Sequence, residues 1–272
     1  MKNRKIAFIG AGNMARSIIA GLTSSGYNSS DITATNPHQQ QRDLLNSLYG
    51  VNTTTDNVDA ANNADVIVLS VKPQVMESVC LGLTDIDLSD KLIISVAAGI
   101  SAERINQYLK TEVNLIRVMP NTPALVNKGM SGLYATHSVS EEDKIFAGQL
   151  MQAVGEICWV EQESGINNVI AAAGSAPAYF FLFMEAMQRE AISQGFDEHT
   201  ARLLVQQSAL GAAEMVVANA DIDIATLREQ VTSKGGTTAE ALRSFNEHKL
   251  TEIVATAMRA AVSRAEEMEK LF

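Results

Sequence analysis

Through the first 160 or so residues, short apolar runs of strand length alternate with segments of helix length, and this alternation constrains the fold more than any other feature of the chain. The runs are Lys5–Gly10 (KIAFIG), Asp31–Asn36 (DITATN), Ala64–Val71 (ADVIVLSV), Lys91–Ala97 (KLIISVA), Val113–Met119 (VNLIRVM) and Gly155–Glu161 (GEICWVE). They are continuously apolar rather than alternating, as expected of parallel strands covered on both faces. Helix-length segments such as Met14–Ser24 and Ser101–Leu109 lie between them. Repetition of this kind predicts βαβ units and an α/β fold built on a doubly wound, mostly parallel sheet. After about Glu161 the strand signals stop. HTARLLVQQSALGAAEMVVANA reads as helix, with Asp197 as an N-cap just before it. Ile253, Val254, Ala257, Met258, Ala261, Val262 and Ala265 form a helical apolar stripe. The expected organisation is a sheet domain over 1–161 and an all-α domain over 162–272.

Composition excludes several classes. A net charge of −10 argues against a nucleic-acid binder, which needs basic residues to neutralise phosphates. Cys80 and Cys158 have no metal-ligand spacing, so they are read as reduced structural thiols of a cytoplasmic protein, and no metal is expected. The opening stretch MKNRKIAFIGAGNMA has too short an apolar run for a signal peptide. The uncharged stretch Ser164–Met184, SGINNVIAAAGSAPAYFFLFM, is expected to be a buried helix kinked at Pro177 and not a membrane span, because polar residues and proline interrupt it.

FIGAGNMA places Gly10, Gly12 and Ala15 in the G-x-G-x-x-G/A pattern, after a predicted strand and at the opening of a helix. The first glycine allows a tight turn, the second lets backbone approach a pyrophosphate, and Ala15 lets helix pack on strand. Backbone N–H groups at the helix start, around Asn13 and Met14, then face the phosphates. The first domain is therefore a Rossmann-like dinucleotide-binding domain. At the end of the second strand an NAD enzyme carries Asp or Glu for the ribose hydroxyls. TNPHQQQR has Asn36, Pro37 and His38 there, with no carboxylate before Asp43, which favours NADPH and leaves NADH possible. Three further loops fall at the carboxyl edge of the sheet: SVKPQ with Ser70, Val71, Lys72 and Pro73, AAGI with Ala97, Ala98 and Gly99, and MPNTP with Pro120 and Asn121. Small residues and stiff prolines on that edge suit a nicotinamide site. Lys72 reads equally as a phosphate contact or a solvated lysine. Asn57 completes the expected cofactor set.

The second domain offers no obvious acid or base. His38, His137, His199 and His248 stand in no catalytic arrangement with a nucleophile. NNVIAAAGSAPAYFF lacks the helical lysine that 3-hydroxyacid dehydrogenases of similar layout use for proton transfer. VTSKGGTTAEALRSF interrupts a helical region with two glycines and two threonines before another helix begins. It reads either as a connecting turn with an N-cap threonine or as a helix N-terminus cleared for an anion.

FIGAGNMA, SVKPQ, ISVAAGI, RVMPNTPALVNKGMSGLYA, GSAPAYFF and VTSKGGTTAEAL occur in the order found in pyrroline-5-carboxylate reductases, and from about residue 5 to residue 270 the chain resembles that family. The resemblance implies NAD(P)H-dependent reduction of 1-pyrroline-5-carboxylate to L-proline, the last step of proline synthesis, and dimers or higher assemblies formed through the helical domain. It implies that Ser233, Gly235, Gly236, Thr237 and Thr238 form the substrate loop, with Thr238 near the imine nitrogen as the catalytic group. Glu163 matches an acidic position that stabilises an iminium ion, or else is a solvated helix-start residue. Ser175 lines the pocket or eases helix packing. Ala176 stands where the family often has Gly, and Lys234 where it often has Pro. Reduction of another cyclic imine, a 3-hydroxyacid dehydrogenase and a non-catalytic NADP-binding regulator are the alternative readings.

Overall fold

A computed structural model describes residues 4–271; Met1–Asn3 of the opening stretch lie outside the described residues. Along the chain run β1 (Ile6–Ile9), α1 (Asn13–Ser24), β2 (Ile32–Thr35), α2 (Gln39–Tyr49), β3 (Asn52–Thr54), α3 (Asn57–Asn62), β4 (Val66–Leu69), α4 (Pro73–Leu81), β5 (Leu92–Ser95), α5 (Ala102–Leu109), β6 (Asn114–Met119), β7 (Gly129–Ala135), α6 (Glu141–Gln152) and β8 (Gly155–Trp159). Helices α7 (Gly165–Val169), α8 (Ala176–Ser193), α9 (Glu198–Ala218), α10 (Ile224–Gln230), α11 (Thr237–Glu247) and α12 (Leu250–Leu271) follow.

The strands form one eight-stranded sheet in the order β3-β2-β1-β4-β5-β6-β7-β8. All neighbours are parallel except β6 and β7, which pair antiparallel through Ile116 with Ala135 and Met119 with Gly132. The continuous apolar runs have the cause expected of them, because each face of the sheet carries its own core. Ile18, Ile19 and Leu22 of α1 and Phe146, Leu150 and Met151 of α6 pack on one face. Met76 and Cys80 of α4 and Ile105 and Leu109 of α5 pack on the other. The strand order reverses at β1, flanked by β2 and β4, so the crevice beyond their carboxyl ends is the ligand position of a doubly wound sheet.

Two strands escape the sequence reading. β3, Asn-Thr-Thr, is polar because it is a sheet edge. β7, Gly-Met-Ser-Gly-Leu-Tyr-Ala, carries two glycines, which disfavour strands. Gly132 is required by packing rather than by strand propensity: a Cβ there would lie 2.6 Å from both methyls of Val169 on α7.

The stretch Ser164–Met184 departs from the expectation of a buried helix. α7 ends in a π-turn over Ile170–Gly174, where the Ser175 N–H donates to the Ile170 carbonyl at 2.7 Å, and α8 starts afresh at Ala176. The break therefore precedes Pro177, which sits in the first turn of α8. Proline has no N–H to offer the Ala173 carbonyl four residues back; that carbonyl accepts instead from Asn121 Nδ2 at 3.1 Å. No described residue of α8 is buried, and Phe180, Phe181 and Leu182 are 67%, 61% and 67% exposed. Gly165–Ser193 spans 29 residues and contains an 18-residue window with a mean hydropathy of 1.4, long and apolar enough by composition to cross a membrane. Apolar area of this extent on one chain marks a surface that something covers.

By contacts the chain divides into two compact units, Met1–Ser175 with Ala261–Phe272, and Ala176–Ala260. The start of the helical region and the end of α12 thus group with the sheet. Within the second unit, Phe183 and Phe245 pack with ring centroids 5.9 Å apart.

Both thiols are free; Cys80 is buried and Cys158 half-buried. Burial pushes the Cys80 thiol up to about 12 and also raises Cys158. Native protein at pH 8 is expected to react with an aromatic disulfide reagent at Cys158 alone, and at both thiols once unfolded. Because burial favours the neutral thiol, the Cys80 contribution to stability is complete below the unfolded value of about 8.5 and is lost as pH rises through about 12.

Candidate active site

The sheet unit carries a dinucleotide cradle. Gly10 adopts φ +92°, and a Cβ there would lie 2.6 Å from Val71 Cγ1 and 3.0 Å from the Ser70 carbonyl oxygen. The first glycine is therefore demanded both by backbone and by the neighbouring strand end. Its N–H donates to Thr35 Oγ1 at 3.2 Å, and its carbonyl accepts from Ser70 Oγ at 2.6 Å. Gly12 differs: a Cβ would meet nothing within 4 Å. It is the N-cap of α1, with no side-chain cap and no acidic residue in the first turn. The N–H groups of Asn13, Met14 and Ala15 precede the first intrahelical bond, which Arg16 N makes to the Gly12 carbonyl at 3.0 Å. Asn13 is exposed, Met14 half-buried and Ala15 fully buried. Uncapped donors at the positive end of a helix, beside open space, fit a pyrophosphate.

The remaining expected cofactor residues divide into those left open and those already engaged. Asn36 donates to the Ala11 carbonyl at 3.4 Å and accepts from His38 N at 2.9 Å, tying the end of β2 to the glycine turn. Ser70 secures that turn from the β4 side. Lys72 is exposed at the N-cap of α4, Pro73 is the first residue of that helix, and half-buried Asn57 opens α3. Ala97 is buried, Ala98 half-buried, and Gly99 takes φ +73°, with a Cβ there meeting Met268 Cβ at 2.9 Å. Packing of α12 against this position already requires a glycine at Gly99. Pro120 is buried, and Asn121 spends its amide on Ala173 and its carbonyl on Met130 N at 2.9 Å. Val71 packs against the core formed with α4 and α5.

Glu163 has a partner that the sequence did not disclose. Arg117, only 2% exposed in the middle of the sheet, places NH1 2.6 Å from Glu163 Oε1 and 3.2 Å from Glu269 Oε1. Glu163 Oε1 also accepts from Ala102 N at 2.6 Å, in the first turn of α5, and Asn167 Nδ2 donates to Glu269 Oε2 at 3.2 Å. An arginine inside an otherwise apolar strand run was the available signal, since a buried charge demands partners.

In the helical unit, α11 opens at Thr237 with Gly236 as its N-cap and no side-chain cap. Neither Thr237 nor Thr238 serves as the cap, so a connecting turn with a threonine N-cap is not what forms. Gly236 N bonds the Ser233 carbonyl at 3.0 Å, and Gly235 takes φ +72°. Ser233, Gly235, Thr237 and Thr238 are exposed, and Gly236 is half-buried. Ser175 is half-buried in the π-turn.

Comparison with known proteins adds a decisive likeness. Residues 163–268 match the family model described as pyrroline-5-carboxylate reductase dimerisation, and residues 5–99 match that described as NADP oxidoreductase coenzyme F420-dependent. The pyrroline-5-carboxylate reductase of Vibrio alginolyticus is 65% identical over 100% of both chains, and that of Pasteurella multocida 52% identical over 100% of both. The chain belongs to the pyrroline-5-carboxylate reductase family. A pyrroline-5-carboxylate reductase structure from Coxiella burnetii superposes with TM-score 0.93 at 42% identity, covering 98% of this chain and 99% of that one. The Plasmodium falciparum enzyme, determined with NADP bound, gives TM-score 0.87 at 27% identity over 99% of each chain. Membership makes the chain an NADPH-dependent oxidoreductase acting on a C=N bond, and a self-associating one. The dehydrogenase and regulator readings fall away.

Proposed function

We propose that the chain reduces 1-pyrroline-5-carboxylate to L-proline, that the α1 N-terminus seats the NADPH pyrophosphate, and that the loop Ser233–Thr238 seats the substrate carboxylate. The observation that carries the substrate assignment is the start of α11. Gly236 caps it, Gly235 leaves its approach open, and two exposed threonine hydroxyls stand beside first-turn N–H groups that have no partner among the described residues. Bound NADPH supplies a hydride. A cyclic imine accepts hydride readily once its nitrogen is protonated, and water supplies that proton near neutrality, so no protein base is needed. The chain's own task is to fix the carboxylate through the Thr237 and Thr238 N–H groups and to hydrogen-bond the ring nitrogen through Thr238. Orientation of this kind supplies up to about 7–11 kcal/mol of barrier reduction. The contacts of Glu163 support a positioning duty on α5 and Arg117 rather than contact with the iminium.

Thr238→Ala is expected to lower kcat/KM for the imine about tenfold to a hundredfold, the loss of one hydrogen bond to a charged group, with NADPH affinity unchanged. Absorbance of NADPH in steady state and direct NADPH titration check the two halves of that statement. Equal activity in the variant removes Thr238 from the reaction. The exposed apolar faces of α8 and α9 support covering by a second copy of the helical region, here taken as 162–272, in a cytoplasmic dimer or larger ring. Sedimentation of the purified chain measures that state.

A further inference from the structure

Arg42 has no part in the sequence reading of the cofactor site, yet its cation is held against the β2–α2 turn. It is the fourth residue of α2 and half-buried. Its NH1 donates to the Asn36 carbonyl at 2.7 Å and to the Pro37 carbonyl at 3.0 Å. Those are the first two residues after β2, the strand whose carboxyl end takes the adenosine ribose in a doubly wound sheet. Two carbonyls fix one edge of the planar guanidinium, and among the described residues Nε and NH2 have no partner.

The surroundings remove competition. Asn36 commits its carboxamide to Ala11 and His38 N, so it is not free to serve the ribose. His38 caps α2 without a side-chain cap bond and is exposed. On the next strand end Asp56 spends Oδ1 on Val58 N and Asp59 N, capping α3. Asp43 on α2 is exposed. We infer that Arg42 is the specificity-determining residue for the ribose 2′-phosphate, its guanidinium pre-set by the Asn36 and Pro37 carbonyls to receive a phosphate dianion and so to favour NADPH over NADH. A guanidinium already immobilised loses little rotamer freedom on binding and presents paired donors that match phosphate oxygens. The inference rests on the seating of the dinucleotide at the α1 N-terminus.

The test is calorimetric titration of the unliganded protein with 2′,5′-ADP and with 5′-AMP, in wild type, Arg42→Gln and Arg42→Lys. Arg42→Gln is expected to weaken 2′,5′-ADP about tenfold to a hundredfold and 5′-AMP less than twofold, with Arg42→Lys between. The NADPH-to-NADH ratio of kcat/KM is expected to fall in parallel. Equal loss for both nucleotides would show that Arg42 only braces the turn, and no loss for either would show that it does nothing there; each overturns the inference. A wild type that binds NADPH tightly while failing to distinguish the two nucleotides also overturns it. A wild type that binds no nucleotide at all sinks the dinucleotide site itself.

Discussion

Arg117→Ala protein is expected to unfold in urea at a midpoint about 1 M or more below wild type, a loss of about 3–5 kcal/mol from a total of about 5–15 kcal/mol. The guanidinium is almost wholly buried, while Glu163 and Glu269 keep side-chain exposures of 29% and 25%. Deleting the arginine leaves two carboxylates facing one another across a void, each stripped of its cation. Both effects act in the same direction, and the partial exposure of the two carboxylates lets water relieve only part of the cost. The two acids are not equivalent. Glu269 is the more distant partner, at 3.2 Å, and removing its charge leaves a one-to-one pair between Arg117 and Glu163. Glu269→Gln is therefore expected to cost under about 1 kcal/mol. Glu163→Gln costs more, because Oε1 also receives the Ala102 N–H. If Arg117→Ala and Glu269→Gln cost the same, the arginine is held by packing and not by its charge. Urea titrations at one fixed protein concentration make that comparison, since self-association contributes to the midpoint.

That network marks where sequence reading ends. The parallel strands were legible because burial on both faces leaves continuous apolar runs, and Ile6–Ile9 and Val66–Leu69 are buried at every position. The glycine turn was legible because its chemistry is local: strand, turn and helix start lie within one short stretch. Arg117 was visible as an oddity, but its partners lie 46 and 152 residues away, and no periodicity connects them. β7 was hidden for the opposite reason, since Gly132 answers to Val169 on a different element. The exposure of α8 was misread because an apolar helix looks the same in sequence whether its own fold covers it or a second copy does. Gly99 and Asn121, read as cofactor residues from their loops, also carry structural duties that no local pattern discloses. The fold uses Gly99 to admit Met268 and Asn121 to satisfy a carbonyl that Pro177 leaves unpaired.

The two glycines of the dinucleotide turn are expected to fail in different ways when each is changed to alanine. Gly10→Ala places a methyl 2.6 Å from Val71 Cγ1 and 3.0 Å from a backbone carbonyl, at φ +92°. Val71 can rotate away, but the Ser70 carbonyl cannot, because Ser70 N is bonded to the Ile9 carbonyl at 2.9 Å and its hydroxyl to Gly10. Strain and crowding together are expected to lower the thermal midpoint by about 5–10 °C. The turn that relaxes to absorb them no longer aims the α1 N–H groups, so NADPH affinity falls as well, about tenfold or more. Gly12→Ala adds its methyl to open space at φ −80°, a conformation alanine adopts without strain. Its thermal midpoint is expected to stay within about 2 °C of wild type. NADPH affinity is nevertheless expected to drop about tenfold to a hundredfold, because the methyl occupies the space through which backbone donors reach the pyrophosphate. Calorimetry of unfolding and of NADPH binding on the two variants separates a glycine that the fold requires from one that the ligand requires. A Gly12→Ala protein that binds NADPH normally would place the pyrophosphate elsewhere, and with it the adenosine end that Arg42 reads.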